Sequence, residues 1–374
     1  MIALKFTDLA HPPRQRLRLS DCERPRRVNP DDVLIRVTHA GICGTDVHIA
    51  LGGHPATPGI TLGHEAIGVV EESGMNAHVA PGEHVAIDPN LACDDAPLLR
   101  PSGLENRCAA CVDGLMSQCE WMARGTTIGI FRDGGMASHL IAPSGALHRV
   151  PDGLAGRAIA VLVEPLSCIE NSLRQLRGSK IRRALVLGGG PMGALYAMRL
   201  LQEHAHIAIC EQSPARRDRL GEILGANSTV TETIPQPTLF DPGALAEWAC
   251  GLFDGHAPDL VVDAVGGLTT AASNLVRPGG AVVQLGMNQR AAKAEIDAYE
   301  LVRREKRIIG SYIGKGCFPA ALQSLRRGLP GVERLIDAEI ALSDVLTQGF
   351  PAMGFDSSSG LHQAPLALKV IVRF

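Results

Sequence analysis

The feature that most restricts this chain is a glycine turn and what surrounds it. Ala184-Leu185-Val186-Leu187 is an apolar run of buried-strand character, and it leads straight into Gly188-Gly189-Gly190-Pro191-Met192-Gly193. A helical apolar pattern follows from Met192 to Glu203. His206 to Cys210 reads as a second strand, and Glu211 ends it. A strand, a G-x-G-x-x-G turn, a helix and an acidic residue about 20 positions on make up a dinucleotide cradle. Gly188 makes the tight turn, Gly190 lets backbone approach a pyrophosphate, and Gly193 lets helix and strand pack closely. Pro191 and Met192 open the helix whose N-terminus faces the phosphate charge. A glycine-rich turn without a ligand is the plainer alternative, but the complete strand–turn–helix–acid context favours a bound nucleotide.

Glu211 is placed to accept hydrogen bonds from the adenosine ribose hydroxyls. A 2′-phosphate there would bring two anions together, so NAD is expected over NADP. Arg216 and Arg217 are the residues that could soften this preference, and both follow Pro214 inside the next predicted helix, which runs to Leu224 and stops at Gly225.

The rest of the chain arranges itself around this centre. Up to about residue 150 it reads as short strands broken by glycine and proline, among them Val33–Val37, Ile67–Val70 and His84–Ile87, with Pro81-Gly82 as a turn. From about 155 to 310 strand and helix alternate, with later strands at Asp259–Asp263 and Ala281–Leu285, which implies an α/β region with a doubly wound parallel sheet. A helix near Cys317–Arg327, a loop at Ser357–Gly360 and an apolar strand from Leu366 to Val372 complete the chain.

The 374 residues suit two domains, or three. With 36 basic against 39 acidic residues and no basic run, nucleic acid is not expected as a partner. No run nears the ~18 apolar residues of a membrane span. The N-terminus brings Pro12, Pro13, Arg14, Arg16 and Arg18 where a signal core would be apolar. A cytoplasmic protein with no membrane partner is the expectation.

Ten cysteines in such a chain argue for metal rather than disulfides. Four crowd together as Cys93-x14-Cys108-x2-Cys111-x7-Cys119. Four thiolates make a closed tetrahedral zinc site, which is structural because it leaves no open position; the alternative is four free thiols. A second constellation is Cys43-Gly44-Thr45-Asp46-Val47-His48, then Gly63-His64-Glu65, with Glu164 as a further carboxylate. One Cys, one His and one carboxylate would hold a catalytic zinc with a vacant position, where an alcohol loses its proton near neutral pH. Asp46 could accept from the second nitrogen of His64, and Thr45 and His48 could pass the proton to solvent. At this spacing the same residues also suit ordinary packing.

Taken together, these motifs resemble the zinc-dependent medium-chain alcohol dehydrogenases. The resemblance runs through Gly41–His48, Gly63–Glu65, the four-cysteine lobe, Glu164-Pro165-Leu166-Ser167, the glycine turn, Val262–Gly266 and Ile308–Ser311. It implies a mostly β, GroES-like catalytic domain at 1–155 with a zinc lobe at about 89–120, a Rossmann domain at 156–305, and a segment 306–374 completing the catalytic domain. It further implies two zinc ions per chain, with either Glu65 or Glu164 joining Cys43 and His64. Arg216, Val265 and Leu285 would line the coenzyme, and the chain would form a homodimer or homotetramer.

Within the family the Glu-Pro-Leu-Ser run is similar to the polyol (sorbitol-type) and glucose dehydrogenases, so a polyol, cyclitol or sugar alcohol, or its ketone, is the expected substrate. The Cys43–Ile49 run is also close to the threonine 3-dehydrogenase pattern, which makes an amino alcohol the rival substrate. A zinc-free nucleotide sensor or structural protein is the rival from another class. Three departures stand out. The family has two residues between its first two lobe cysteines rather than fourteen, Cys168 stands where an aliphatic residue is common, and the Gln348–Pro365 loop is long.

Overall fold

The computed structural model describes residues 1–95, 106–225, 228–231, 234, 241–288, 291 and 293–374. Part of the Cys93–Cys108 insertion, residues 96–105, lies outside them. The chain divides into two compact units: Met1–Ser167 with Ile313–Arg326 and Ile336–Phe374, and Cys168–Tyr312 with Arg327–Leu335.

The first unit is built on a seven-stranded sheet in the order Ile336–Ala341, Lys369–Arg373, Asp32–Gly41, Glu65–Ser73, His84–Ile87, Leu147–Arg149, with His139–Pro143 also pairing with Asp32–Gly41. Neighbours are antiparallel except Ile336–Ala341 beside Lys369–Arg373, which is parallel. The core strand Asp32–Gly41 is twice the length the apolar run Val33–Val37 suggests. Its inward residues Val33, Ile35 and Val37 are buried with Leu4, Phe6 and Leu62 in one core. A hairpin, Ile2–Phe6 with Leu17–Asp21, flanks it. The Ser357–Gly360 segment closes a small hairpin between Phe355–Asp356 and Leu361–His362. The Asp356 carboxylate ties that turn by accepting from the Ser358 amide at 2.9 Å and from the Ser358 and Ser359 hydroxyls.

The second unit carries a six-stranded, fully parallel sheet. Its order is Ser228–Thr231, His206–Cys210, Arg183–Leu187, Leu260–Asp263, Ala281–Gln284, Arg307–Gly310. Numbered along the chain this is 3-2-1-4-5-6, the Rossmann order, whose switch point lies between Arg183–Leu187 and Leu260–Asp263. The helix after the glycine turn runs Pro191–Leu201 and is buried over most of its length. The next one spans Pro214–Leu224.

The unit boundaries differ from the expected 155/156 and 305/306, for identifiable reasons. Ala158–Leu162 is entirely buried, and Val161 packs at Gly41, so this stretch belongs to the first unit. The boundary therefore falls inside the helix Val163–Gln175. At the other end, Arg307–Gly310 pairs with Ala281–Gln284 and completes the parallel sheet. A short return, Arg327–Leu335, also joins the second unit: Arg334 donates to the Glu222 carbonyl at 2.8 Å, and Gly331 packs on Ile223. Among the described residues, no helix is long and apolar enough to cross a membrane.

Candidate active site

Two strand ends and a short helix bring the predicted donors together in the first unit. Cys43 follows the strand Asp32–Gly41 and caps the helix Gly44–Leu51, while His64 and Glu65 lead into Glu65–Ser73. One donor atom each from Cys43, His64 and Glu65 lies within 4.8 Å of the other two. Asp46 occupies the first turn of that helix. One carboxylate oxygen accepts from the Cys43 amide at 2.9 Å, and the other faces His64 Nδ1 at 3.6 Å. Those two facing atoms are buried and have no hydrogen-bond partner. Asp46 thus faces His64 from the side on which a carboxylate would orient a metal-binding imidazole. Thr45 Oγ1 lies 3.7 Å from Cys43 Sγ, and His48 is exposed further along the same helix.

The site is electrostatically built for a cation. Burial disfavours a charged imidazole, yet the Asp46 carboxylate and the Cys43 sulfur hold the His64 pKa well above its ordinary value. Lys369 is buried too and donates to both oxygens of Glu65, at 2.8 and 2.7 Å. Burial pushes the Glu164 carboxyl up to about 7, with the Glu65 charge adding and His64 opposing. Glu164 begins the helix Val163–Gln175 and stands outside the three-donor group, so of the two carboxylates the structure gathers Glu65 and not Glu164 with Cys43 and His64. One sulfur, one imidazole and one carboxylate within 4.8 Å of one another fit zinc, which accepts all three ligand types.

Gly41 makes room for this carboxylate. It pairs opposite Glu65, and a Cβ there would stand 2.1 Å from Glu65 Oε2 and 3.0 Å from Val161. Gly41→Ala should therefore push Glu65 from both Lys369 and the donor group. We expect about 1–3 kcal/mol lower stability from overpacking. Zinc occupancy of this site should fall as well, checked by denaturant unfolding and metal analysis.

The four lobe cysteines also converge. All are buried, all are free thiols, and their sulfurs lie within 4.8 Å of one another. Cys93 and Cys119 are 3.6 Å apart and Cys108 and Cys119 are 3.9 Å apart. A disulfide would need about 2.05 Å, whereas a tetrahedron with ~2.3 Å zinc–sulfur bonds has edges of ~3.8 Å. Although burial disfavours its thiolate, backbone N–H groups of Glu120 and Cys111 bring the Cys108 thiol down to about 7.

In the second unit the glycine turn takes the form the motif requires. Gly188 has φ +99°, and a Cβ on Gly193 would lie 1.9 Å from the Gly188 carbonyl oxygen. Gly190 caps the helix, with Pro191 at its first position and Met192 half-buried behind it. Glu211 is buried, and its carboxylate accepts from the Gly189 amide at 2.9 Å and the Ser213 amide at 2.8 Å. Arg216 approaches it at 3.5 Å, while Arg217 donates to the carbonyls of Glu211 and Gln212 at 3.0 and 2.9 Å. Val265 and Leu285 follow adjacent strands at their carboxyl ends, where such sheets bind ligands.

Several residues of the site escaped the sequence reading. Asp263 is fully buried and accepts from the amides of Val265, Gly266 and Leu268 at 3.0, 2.7 and 2.6 Å. Its carbonyl takes the Leu285 amide at 3.0 Å, so one residue holds both coenzyme-side loops. Lys369 left one trace, a charge inside the apolar run Leu366–Val372.

Residues 29–152 match the alcohol dehydrogenase GroES-like domain family, and residues 192–327 match the zinc-binding dehydrogenase family. Among curated proteins the chain is 27% identical to D-xylulose reductase A of Aspergillus oryzae, covering 88% of each chain. It is 28% identical to D-altritol 5-dehydrogenase of Agrobacterium fabrum, covering 85% of this chain and 87% of that one. Among solved structures, alcohol dehydrogenase TADH from Thermus sp. ATN1 is 25% identical at TM-score 0.79, covering 100% of this chain and 99% of that one. A Sinorhizobium meliloti 1021 protein, assigned to the zinc-binding dehydrogenases and solved with NADP, is 26% identical at the same TM-score and coverage.

Proposed function

Because this chain belongs to the zinc-type medium-chain alcohol dehydrogenase family, we propose that it moves a hydride between NAD and a secondary alcohol of a polyol, cyclitol or sugar, or the matching ketone. The observation that carries this reading is the Cys43–His64–Glu65 group, half-buried at Cys43 and buried at the other two, with Asp46 behind it. D-xylulose reductase A and D-altritol 5-dehydrogenase among the relatives support the substrate class.

Cys43, His64 and Glu65 would hold a catalytic zinc, and Cys93, Cys108, Cys111 and Cys119 a structural one. The catalytic ion supplies Lewis acidity that lowers the pKa of a bound alcohol. The protein's own groups do the rest. Asp46 would keep His64 oriented, and the Thr45 hydroxyl would relay the alcohol proton, accepting it while passing its own on toward His48 and solvent. Glu164, with its pKa near neutrality, stands beside the donors as a carboxylate able to exchange with Glu65. In the second unit the glycine turn and helix N-terminus receive the pyrophosphate, and Glu211 receives the ribose hydroxyls.

NAD is the preferred coenzyme in this reading. Glu211 is fixed by two amides, and the Arg217 guanidinium is committed to two carbonyls. A 2′-phosphate would meet the carboxylate with Arg216 as its counterion, and like-charge juxtaposition costs several kcal/mol. Glu211→Ser should narrow the NAD-over-NADP ratio of kcat/KM by roughly tenfold or more; steady-state kinetics with both coenzymes check it. An unmodified enzyme that favours NADP would remove this role for Glu211.

The chain would work as a homodimer, or a tetramer built from it. Arg307–Gly310 ends its sheet with no outer neighbour among the described residues, and Ile308, Tyr299 and Val302 are exposed apolar side chains on the same part of the chain. An edge of that kind invites pairing. The test of the whole reading is zinc-dependent NADH formation across polyols, cyclitols, aldoses and threonine.

A further inference from the structure

The four lobe sulfurs come from two unequal stretches. Cys108, Cys111 and Cys119 are held near one another by a short helix, Ala109–Val112, and the turns after it. Cys93 reaches them through a connection of fourteen residues, and the entropy of closing a loop grows with its length. Something other than local spacing must hold Cys93 in place.

Lys315 is the group in position to do so. It is buried, 4% exposed, and its Nζ lies 2.9 Å from Asp88 Oδ2 and 2.8 Å from Asp95 Oδ2. Asp88 precedes Cys93 and Asp95 follows it, so one ammonium closes the Asp88–Asp95 segment into a loop with Cys93 inside. Both carboxylates are further tied to that segment, Asp88 by the Asn90 amide at 3.0 Å and Asp95 by the Ala92 amide at 2.5 Å.

The turn that carries Lys315 is fitted to the lobe on its other side as well. Gly316 has φ +79°, and a Cβ there would stand 2.3 Å from Met116 Cε, between Cys111 and Cys119 in sequence. Gly314 sits so close to Ser167 that a Cβ would lie 1.8 Å from its hydroxyl oxygen. Ile313 takes a positive φ of 39°, which an isoleucine adopts only when its surroundings enforce it. The segment is thus wedged between the Cys93 loop, the Cys111–Cys119 turn and the end of the Glu164–Ser167 run.

We propose that Lys315 is a positioning residue for the four-cysteine site, bracketing Asp88 and Asp95 so that Cys93 is presented to the zinc held by the other three cysteines. The proposal rests on reading those cysteines as a zinc site. It assigns a task to a buried lysine that takes no part in hydride transfer. It also explains how a long insertion is compatible with a fourth ligand.

The test is cysteine-resolved alkylation of the zinc-loaded, full-length protein, read by peptide mass spectrometry. In the unmodified protein all four lobe cysteines should react slowly, and all should speed up once a chelator removes zinc. In Lys315→Met, Cys93 should react roughly tenfold faster or more, because a buried and a half-buried carboxylate lose their counterion. Cys108, Cys111 and Cys119 should stay protected, and Lys315→Arg should restore protection. Asp95→Asn keeps the Asp88–Lys315 pair and should show the same selectivity to a smaller degree; it decides the matter if Lys315→Met does not fold. Equal acceleration of all four, or none in either variant, would overturn the bracket. If chelation leaves the unmodified protein's four rates unchanged, the zinc reading of the lobe fails, and the bracket fails with it.

Discussion

Replacing Cys43 with serine is expected to remove one zinc ion of two and reduce turnover by roughly three orders of magnitude, since Lewis-acid stabilisation is worth several kcal/mol and ~1.4 kcal/mol is tenfold in rate. The effect should be confined to chemistry. Cys43 is half-buried at the head of a helix whose cap also uses Asp46, so the fold keeps most of its contacts. Coenzyme binding belongs to groups in the other unit and should be retained, as NADH fluorescence titration would show. Metal analysis and initial rates on the same preparation check the two halves of the claim together. Full turnover after this change would remove the catalytic-zinc reading.

The second large effect is on stability and comes from the lobe. Cys108→Ser or Cys119→Ser should lose the other zinc and leave the hydride-transfer groups in place. Zinc binding at a structural site is folding energy, ~10–16 kcal/mol in isolated zinc-binding peptides. Even a third of that is several kcal/mol, which lowers Tm on the order of 10 °C in a domain of this size. The four sulfurs are buried in the same apolar cluster as Trp121 and Met122, so an unsatisfied site would also loosen the core around it. Calorimetry of the purified variant against the unmodified protein gives the shift directly. An unchanged Tm with undiminished zinc would mean that the cysteines are packing residues.

These two expectations mark how far the sequence is informative. The nucleotide unit was legible almost to the residue, because each of its constraints is local. The strand Arg183–Leu187, the turn, the helix and Glu211 follow one another, Gly188 takes a positive φ, and Gly193 packs on the Gly188 carbonyl, while Gly190 leaves open space at the helix N-terminus. The donors Cys43, His64 and Glu65 were legible as motifs. What joined them was not, because their proximity depends on strand pairing across long separations: Gly41 lies opposite Glu65, and also opposite Ile371 from the far end of the chain.

The residues that escaped are the ones whose role is purely tertiary. Lys369 meets Glu65 and Lys315 meets Asp88 across more than 200 residues of sequence, and no spacing rule connects such pairs. The choice between Glu65 and Glu164 was invisible for the same reason. The boundaries at 155/156 and 305/306 follow from the strand–helix rhythm and the family resemblance, whereas the compact units depend on burial of Ala158–Leu162 and pairing of Arg307–Gly310. Both facts concern what the segments touch, not what they contain.

The central claim is zinc-dependent transfer of a hydride from a polyol-type alcohol to NAD. The most direct measurement is the initial rate of NADH formation by full-length protein carrying two zinc ions, with polyols, cyclitols, aldoses and threonine in parallel. A chelator arm and a zinc-restored arm accompany it. The account predicts turnover with at least one polyol, cyclitol or sugar, its loss on zinc removal and its return with zinc. A fully loaded protein that binds NADH yet reduces NAD with none of these alcohols would contradict it.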